Sequence, residues 1–216
     1  MNCDFQKQRE EMVLNQLIKR GINDKSVIEA FRKIPREIFI PEKYREFAYF
    51  DGPIEIGFGQ TISQPFIIAL MVSELEPQKG LKCLEVGTGS GYQTAILLHL
   101  GLKVYSIERI KELALIATKN LLKLNFKDFN IFVRDGTLGL PEYAPFDRII
   151  VSASAPKIPE SLISQLSSNN GIIIIPVGDR HMQNLVKIIK TNHDIQKKNL
   201  DYVRFVPLIG KEGWNE

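Results

Sequence analysis

The stretch Cys83-Leu84-Glu85-Val86-Gly87-Thr88-Gly89-Ser90-Gly91-Tyr92 dictates a local geometry around which the other segments must be arranged. Its apolar start reads as a buried strand and its alternate glycines as a tight turn. Ala95, Ile96, Leu97 and Leu98 read as the apolar face of a following helix. Strand, glycine turn and helix in that order expose backbone N–H groups at a helix N-terminus, where a nucleotide-like ligand can approach the main chain. The dinucleotide fingerprint places glycines at the first, third and sixth positions. Here the sixth position is Tyr92 and the third glycine is Gly91, so the spacing departs from that of nicotinamide enzymes. A turn that merely joins strand to helix is the bland alternative, and acidic Glu85 at the strand end weighs against it.

The flanking chain divides in two. Phe5 to Lys19 mixes apolar and charged residues as an amphipathic helix ended by Gly21, and Asp24 caps a second helix that stops at Ile34 before Pro35. Residues 1–55 therefore read as a helical N-terminal extension, and residues 56–216 as the core of a single domain. Ser63 fits an N-cap and Pro65 the first turn of a helix over Phe66 to Leu75. From Lys82 onward, strands at Lys82–Val86, Lys103–Ile107, Asn130–Val133, Asp147–Val151 and Gly171–Pro176 alternate with helices. That order predicts an α/β fold, a mostly parallel sheet with helices on both faces. Asn184–Lys190 and Tyr202–Leu208 read as a hairpin-like, antiparallel C-terminal edge.

Composition removes several function classes. The 216 residues carry a net charge of only +3 and no Lys/Arg block, so no nucleic-acid partner is implied. Cys3 and Cys83 form no disulfide framework, and His99, His181 and His193 are scattered, so no metal site is expected. Met1 to Glu11 has no apolar core of a secretory signal, and the apolar runs Phe66–Val72 and Ile172–Val177 are too short to span a bilayer. The expectation is a cytoplasmic protein with no membrane partner.

In an open α/β sheet, ligands lie outside the carboxyl ends of the strands, which here carry Glu85/Gly87, Glu108, Asp135/Gly136 and Ser152. Glu108 follows the glycine turn by about 20 residues, the spacing at which a carboxylate accepts from both hydroxyls of a ribose. Asp135, at the end of the third strand, is placed to accept from an adenine amino group.

Glu85-x-Gly87-x-Gly89-x-Gly91 resembles motif I of S-adenosylmethionine-dependent methyltransferases, in which the acidic residue lies near the methionine moiety. A closer resemblance runs over nearly the whole chain. Pro35-Arg36-Glu37-Ile38-Phe39-Ile40-Pro41, Gly59-Gln60-Thr61-Ile62-Ser63-Gln64-Pro65, Leu84–Gly91, Asp135-Gly136, Leu140–Asp147 and Arg204-Phe205-Val206-Pro207-Leu208 look like protein-L-isoaspartate O-methyltransferases. The Gln-Thr-Ile-Ser-Gln-Pro element is far more specific than the glycine motif. The resemblance implies a Rossmann-like methyltransferase fold, S-adenosyl-L-methionine as cofactor, and methyl transfer to the free carboxyl of isoaspartyl residues in damaged proteins and peptides, by a monomer. It implies Ser63 as the active-site serine. It also implies Ser63, Gln64, Pro65, Phe66, Glu85, Gly87, Gly89, Glu108, Asp135 and Gly136 as the cofactor's surroundings.

The chemistry agrees. A carboxylate with an ordinary pKa near ~4 is already ionised at neutral pH, so no general base is needed, and no His lies near the motifs. Ser63 then orients the carboxylate and does not attack, because no Gly-x-Ser-x-Gly surrounds it. A nucleic-acid N-methyltransferase typically has an Asp/Asn-Pro-Pro-aromatic motif after the fourth strand, where this chain has Ser152-Ala153-Ser154-Ala155-Pro156. A small-molecule methyltransferase and a non-enzymatic nucleotide-binding module stay open, since core motifs report the cofactor and not the acceptor.

Overall fold

A computed structural model describes residues 4–215. Cys3 lies outside the described residues. Two helices open the chain, α1 (Phe5–Met12), which runs on through a π-helical and a 3-10 turn to Arg20, and α2 (Lys25–Lys33). Gly21 ends the first in the left-handed region at φ +97°, and the Asp24 carboxylate caps the second by accepting from the Ser26 and Val27 amides. Next comes a small antiparallel hairpin, β1 (Ile54–Gly57) and β2 (Gln60–Ile62), which the sequence reading missed. Then follow α3 (Pro65–Glu74), β3 (Lys82–Val86), α4 (Tyr92–His99), β4 (Lys103–Glu108), α5 (Lys111–Lys123), β5 (Asn130–Val133), β6 (Arg148–Val151), α6 (Glu160–Gln165), β7 (Gly171–Gly178), β8 (Gln183–Lys190) and β9 (Ile195–Val203).

The main sheet has seven strands in the order β5-β4-β3-β6-β7-β8-β9. The first five are mutually parallel, and β8 and β9 pair antiparallel at one end. The mostly parallel α/β fold with an antiparallel edge is thus as expected. Side chains alternate across the sheet: Ile172 and Ile174 face one apolar cluster, Ile173 and Ile175 the other. The N-terminal helices contribute Met12, Leu17, Val27 and Phe31 to the first cluster together with Cys83, Ile96 and Leu121, so extension and sheet share one core. The second cluster packs Leu162 and Phe146 against Leu84, Ile149 and Val151.

Two local expectations need correction. The cap position of α3 is Gln64, not Ser63, and no side chain caps it. Pro65 takes the first helical position, so the cap falls immediately before it. The last strand is Ile195–Val203, not Tyr202–Leu208. Its residues are exposed almost throughout and carry Lys197 and Lys198, so it shows little of the apolar alternation by which a strand is recognised. Residues 204–208 instead cross the carboxyl ends of the parallel strands, where Ser154 donates its amide to the Val206 carbonyl and accepts from Leu208 at 2.8 Å each.

Candidate active site

The chain reverses direction across the sheet at β3, which lies between β4 and β6, and a crevice opens at the carboxyl ends of these strands. Gly87, Gly89 and Gly91 turn the chain there with φ of +93°, +56° and +90°, backbone that side-chain-bearing residues rarely adopt. The absence of a side chain also allows close packing: a Cβ on Gly91 would lie 3.2 Å from that of Ala117 on α5. Glu108 anchors the turn. Its carboxylate accepts from the Gly89 amide and the Ile110 amide, both at 2.9 Å, and the residue is only 7% exposed. It is no solvated loop charge.

A cavity of about 170 Å³ follows the turn. Val86, Ile107, Ile110 and Leu113 give it an apolar wall, Glu108 a carboxylate, and the crossing segment Val206–Ile209 a cover. Gly136 completes the floor, where a Cβ would come within 2.5 Å of Val86. A second cavity, of about 300 Å³, opens beside it between Pro53, Ile67, Tyr202, Arg204 and Phe205. Thr61, Ser63, Ser152 and Val206 line both. The two cavities therefore share a border that includes Ser63 and Ser152.

Of the predicted site residues, Ser63, Gly87, Gly89, Glu108 and Gly136 line the first cavity. Gln64 lines the second and donates to the Asp51 carboxylate at 2.7 Å. Pro65 and Phe66 lie behind Ser63 in the first turn of α3, where the Arg20 guanidinium covers the Phe66 ring at 3.6 Å. Asp135 sits off the cavity wall. Its carboxylate accepts from the Thr137 amide and hydroxyl and from the Lys211 amide at 2.8, 2.7 and 2.8 Å, so it secures the C-terminal segment. Glu85 is fully buried beneath the turn, accepting from Gln93, Thr94 and Ser106 at 3.0, 2.6 and 2.6 Å. Burial pushes its carboxyl up to about 7, against those three hydrogen bonds, which favour the ionised form.

Sequence reasoning sets Ser152 at a ligand-facing strand end without a role and assigns none to Gln93 or Arg36. Gln93 spends both amide hydrogens, one on Glu85 and one on the Ser152 hydroxyl at 2.9 Å. Arg36 is wholly buried and donates to the Ala48 and Ser63 carbonyls at 2.8 Å each, with its guanidinium 4.9 Å from the centre of the Tyr92 ring. Burial lowers it to about 10, so it remains a cation at neutral pH. Arg36 lies in the Pro35–Pro41 element, where a lone arginine between prolines is its available signal.

The comparisons with known proteins point one way. The family model of protein-L-isoaspartate(D-aspartate) O-methyltransferase matches residues 7–213. Protein-L-isoaspartate O-methyltransferase 1 of Syntrophobacter fumaroxidans is 50% identical over 98% of this chain and 98% of its own length. The protein-L-isoaspartate O-methyltransferase of Dictyoglomus thermophilum is 46% identical over 99% of this chain and 96% of its own. A crystal structure from Plasmodium falciparum, described as a putative protein-L-isoaspartate O-methyltransferase in complex with S-adenosyl-L-homocysteine, superposes with a TM-score of 0.81 at 30% identity. It covers 95% of this chain and 98% of that one. With a family match over nearly its full length and relatives at this identity, the chain belongs to the protein-L-isoaspartate O-methyltransferase family.

Proposed function

We propose that the mouth joining the two cavities is where this S-adenosylmethionine-dependent enzyme methylates the free carboxyl of an L-isoaspartyl residue in a damaged protein or peptide. The observation that carries the reading is that Ser63 lines both cavities. The first cavity suits the cofactor: an apolar wall for adenine, the Glu108 carboxylate for ribose hydroxyls, and a glycine turn admitting close approach of the main chain. When bound, S-adenosylmethionine supplies a methyl group on a sulfonium sulfur, and the product is a neutral methyl ester. The chain's own residues have no proton to remove, because the acceptor carboxyl is already ionised. Their work is to orient that carboxylate at the mouth through the Ser63 hydroxyl and to keep water away from it with the cover at Val206–Ile209.

The second cavity suits an extended peptide. Its rim is built from Thr61 and Ser63 on one side and Tyr202–Val206 on the other. An isoaspartyl residue routes the chain through its side-chain carboxyl, leaving the α-carboxyl free and adding one backbone methylene. Aspartyl and isoaspartyl residues are both anionic, so charge does not separate them and geometry must. Misplacing reacting atoms by about 1 Å costs roughly a hundredfold in rate. Roles for Gln64, Pro65, Phe66, Glu85 and Asp135 in holding the cofactor indirectly belong to the same proposal. So do a single domain with residues 1–55 as an extension and a cytoplasmic monomer with no nucleic-acid or membrane partner. The shared core and the weak net charge of +3 support it.

The test is radiolabelled methyl transfer to an isoaspartyl peptide and its aspartyl twin of identical sequence. Strong labelling of the first only, released by mild base as an ester requires, is the expected result. Equal labelling, or label stable to base, refutes the acceptor.

A further inference from the structure

We infer that Ser152 is a second hydroxyl donor to the acceptor carboxylate, held in place by Gln93, and that with Ser63 it selects the anionic substrate over the neutral ester product. The inference rests on the acceptor reading above and adds a catalytic residue to it.

Three observations carry it. Ser152 follows β6 directly, and with Ser63 it belongs to the few residues lining both cavities. Its place is fixed from two sides: its amide donates to the Val86 carbonyl at 2.8 Å, and a Cβ on Gly87 would already lie 3.4 Å from its own. The third observation is the direction of its hydrogen. Ser152 accepts from the Gln93 amide nitrogen at 2.9 Å. With Glu85 ionised that amide does not reverse, because its other hydrogen goes to Glu85 at 3.0 Å, and a reversed amide would set oxygen against carboxylate oxygen. Glu85 is itself oriented by the Thr94 and Ser106 hydroxyls at 2.6 Å each. A buried chain of defined donors and acceptors thus leaves Ser152 as acceptor on its inner side. That leaves its own hydrogen for an acceptor other than Gln93, and the residue borders both cavities. Gln93 is a positioning residue and Ser152 touches substrate.

The chemistry gives such a pair of donors a purpose. A hydroxyl bonds an ionised carboxylate about twice as strongly as a neutral acceptor. Methylation converts one into the other. Two serines at the mouth therefore hold the reactant and loosen their hold on the ester, which favours product release. Because the bond is already made to the bound substrate and weakens as the charge disappears, its loss should fall on substrate binding more than on turnover.

The experiment compares wild type, Ser152→Ala and Ser152→Thr with the isoaspartyl peptide, measuring KM and kcat separately. S-adenosylhomocysteine affinity by calorimetry, thermal melts, and competition by the peptide methyl ester complete the set. Expected for Ser152→Ala are a KM raised about 10- to 100-fold, the range for a hydrogen bond to a charged group, and kcat changed by less than about threefold. Cofactor-product affinity should stay within about twofold, and preference for the acid peptide over its ester should shrink. Ser152→Thr, which keeps the hydroxyl, should restore the preference. If wild type is active and Ser152→Ala keeps its KM and its preference, Ser152 is only a wall and the inference fails. If instead cofactor-product affinity drops while KM holds, the hydroxyl serves the other cavity, and the inference fails equally. A wild type inactive on the isoaspartyl peptide overturns the acceptor reading and this inference with it.

Discussion

Ser63 is released from helix capping because Gln64 holds the cap position of α3, and it borders both cavities. Its hydroxyl thus has little structural duty in the helix, and removing it should barely affect folding. Ser63→Ala is expected to shift stability by no more than about 0.5 kcal/mol while lowering kcat/KM about 10- to 100-fold. Thermal melts and initial rates on one preparation decide this, and equal rates per folded molecule would return Ser63 to the wall. Glu85 makes a prediction of the opposite kind. Its carboxyl is raised to about 7 from an ordinary 4.5 by burial, so the folded state holds its proton more tightly than the unfolded chain. Ionising it therefore costs stability: the protein is favoured below about pH 4.5, loses stability as pH rises toward about 7, and changes little beyond. A shift of that size corresponds to roughly 3 kcal/mol. Glu85→Gln carries no charge at any pH and should lack this dependence. Urea denaturation from pH 4.5 to 8 should show wild type losing ground against the variant as pH rises, and a constant difference would mean the carboxyl titrates normally.

Among the elements, the N-terminal layer is tied to the site by Arg36, which follows α2, as well as by Arg20 over Phe66. Arg36 bonds the Ala48 carbonyl with one nitrogen and the Ser63 carbonyl with another, so the layer that covers the sheet also sets the height of the loop before α3. Arg36→Met keeps the apolar volume and strands both carbonyls, each at a cost of about 1–3 kcal/mol. The variant should lose stability by at least one such amount in denaturant titrations, and its rate per folded molecule should fall as Ser63 loses its anchor. An unchanged rate per folded molecule would separate the layer from the site. The same scale shows what could be read beforehand. Five parallel strands were legible because each is a short apolar run closed by a turn signal, and Glu85-x-Gly87-x-Gly89-x-Gly91 located the crevice. The β1–β2 hairpin was not, because Ile54–Gly57 and Gln60–Ile62 interleave isoleucine with charged, polar and glycine residues and neither makes an apolar run. The Gln93–Ser152 contact joins residues 59 apart in sequence, and neither residue carries a local pattern. Proximity of this sort belongs to the assembled sheet.

For the whole molecule, the site is closed by the part of the chain farthest in sequence from the glycine turn. Lys211 and Glu212 donate their amides to Asp135 and Thr137, Ser161 donates to the Glu212 carboxylate, and the Trp214 indole donates to the Ser154 carbonyl at 2.9 Å. The segment after the cover at Val206–Ile209 is thereby fastened at several points, and the second cavity lies beside it. The outer strands of the sheet acquire a meaning from this. β5 is only four residues long, and β9 presents Lys197, Lys198 and Asp201 to solvent. Short or charged borders resist annealing with another extended chain. With a four-residue strand at one border and exposed lysines along the other, the seven-stranded sheet offers another extended chain little main-chain ladder to join.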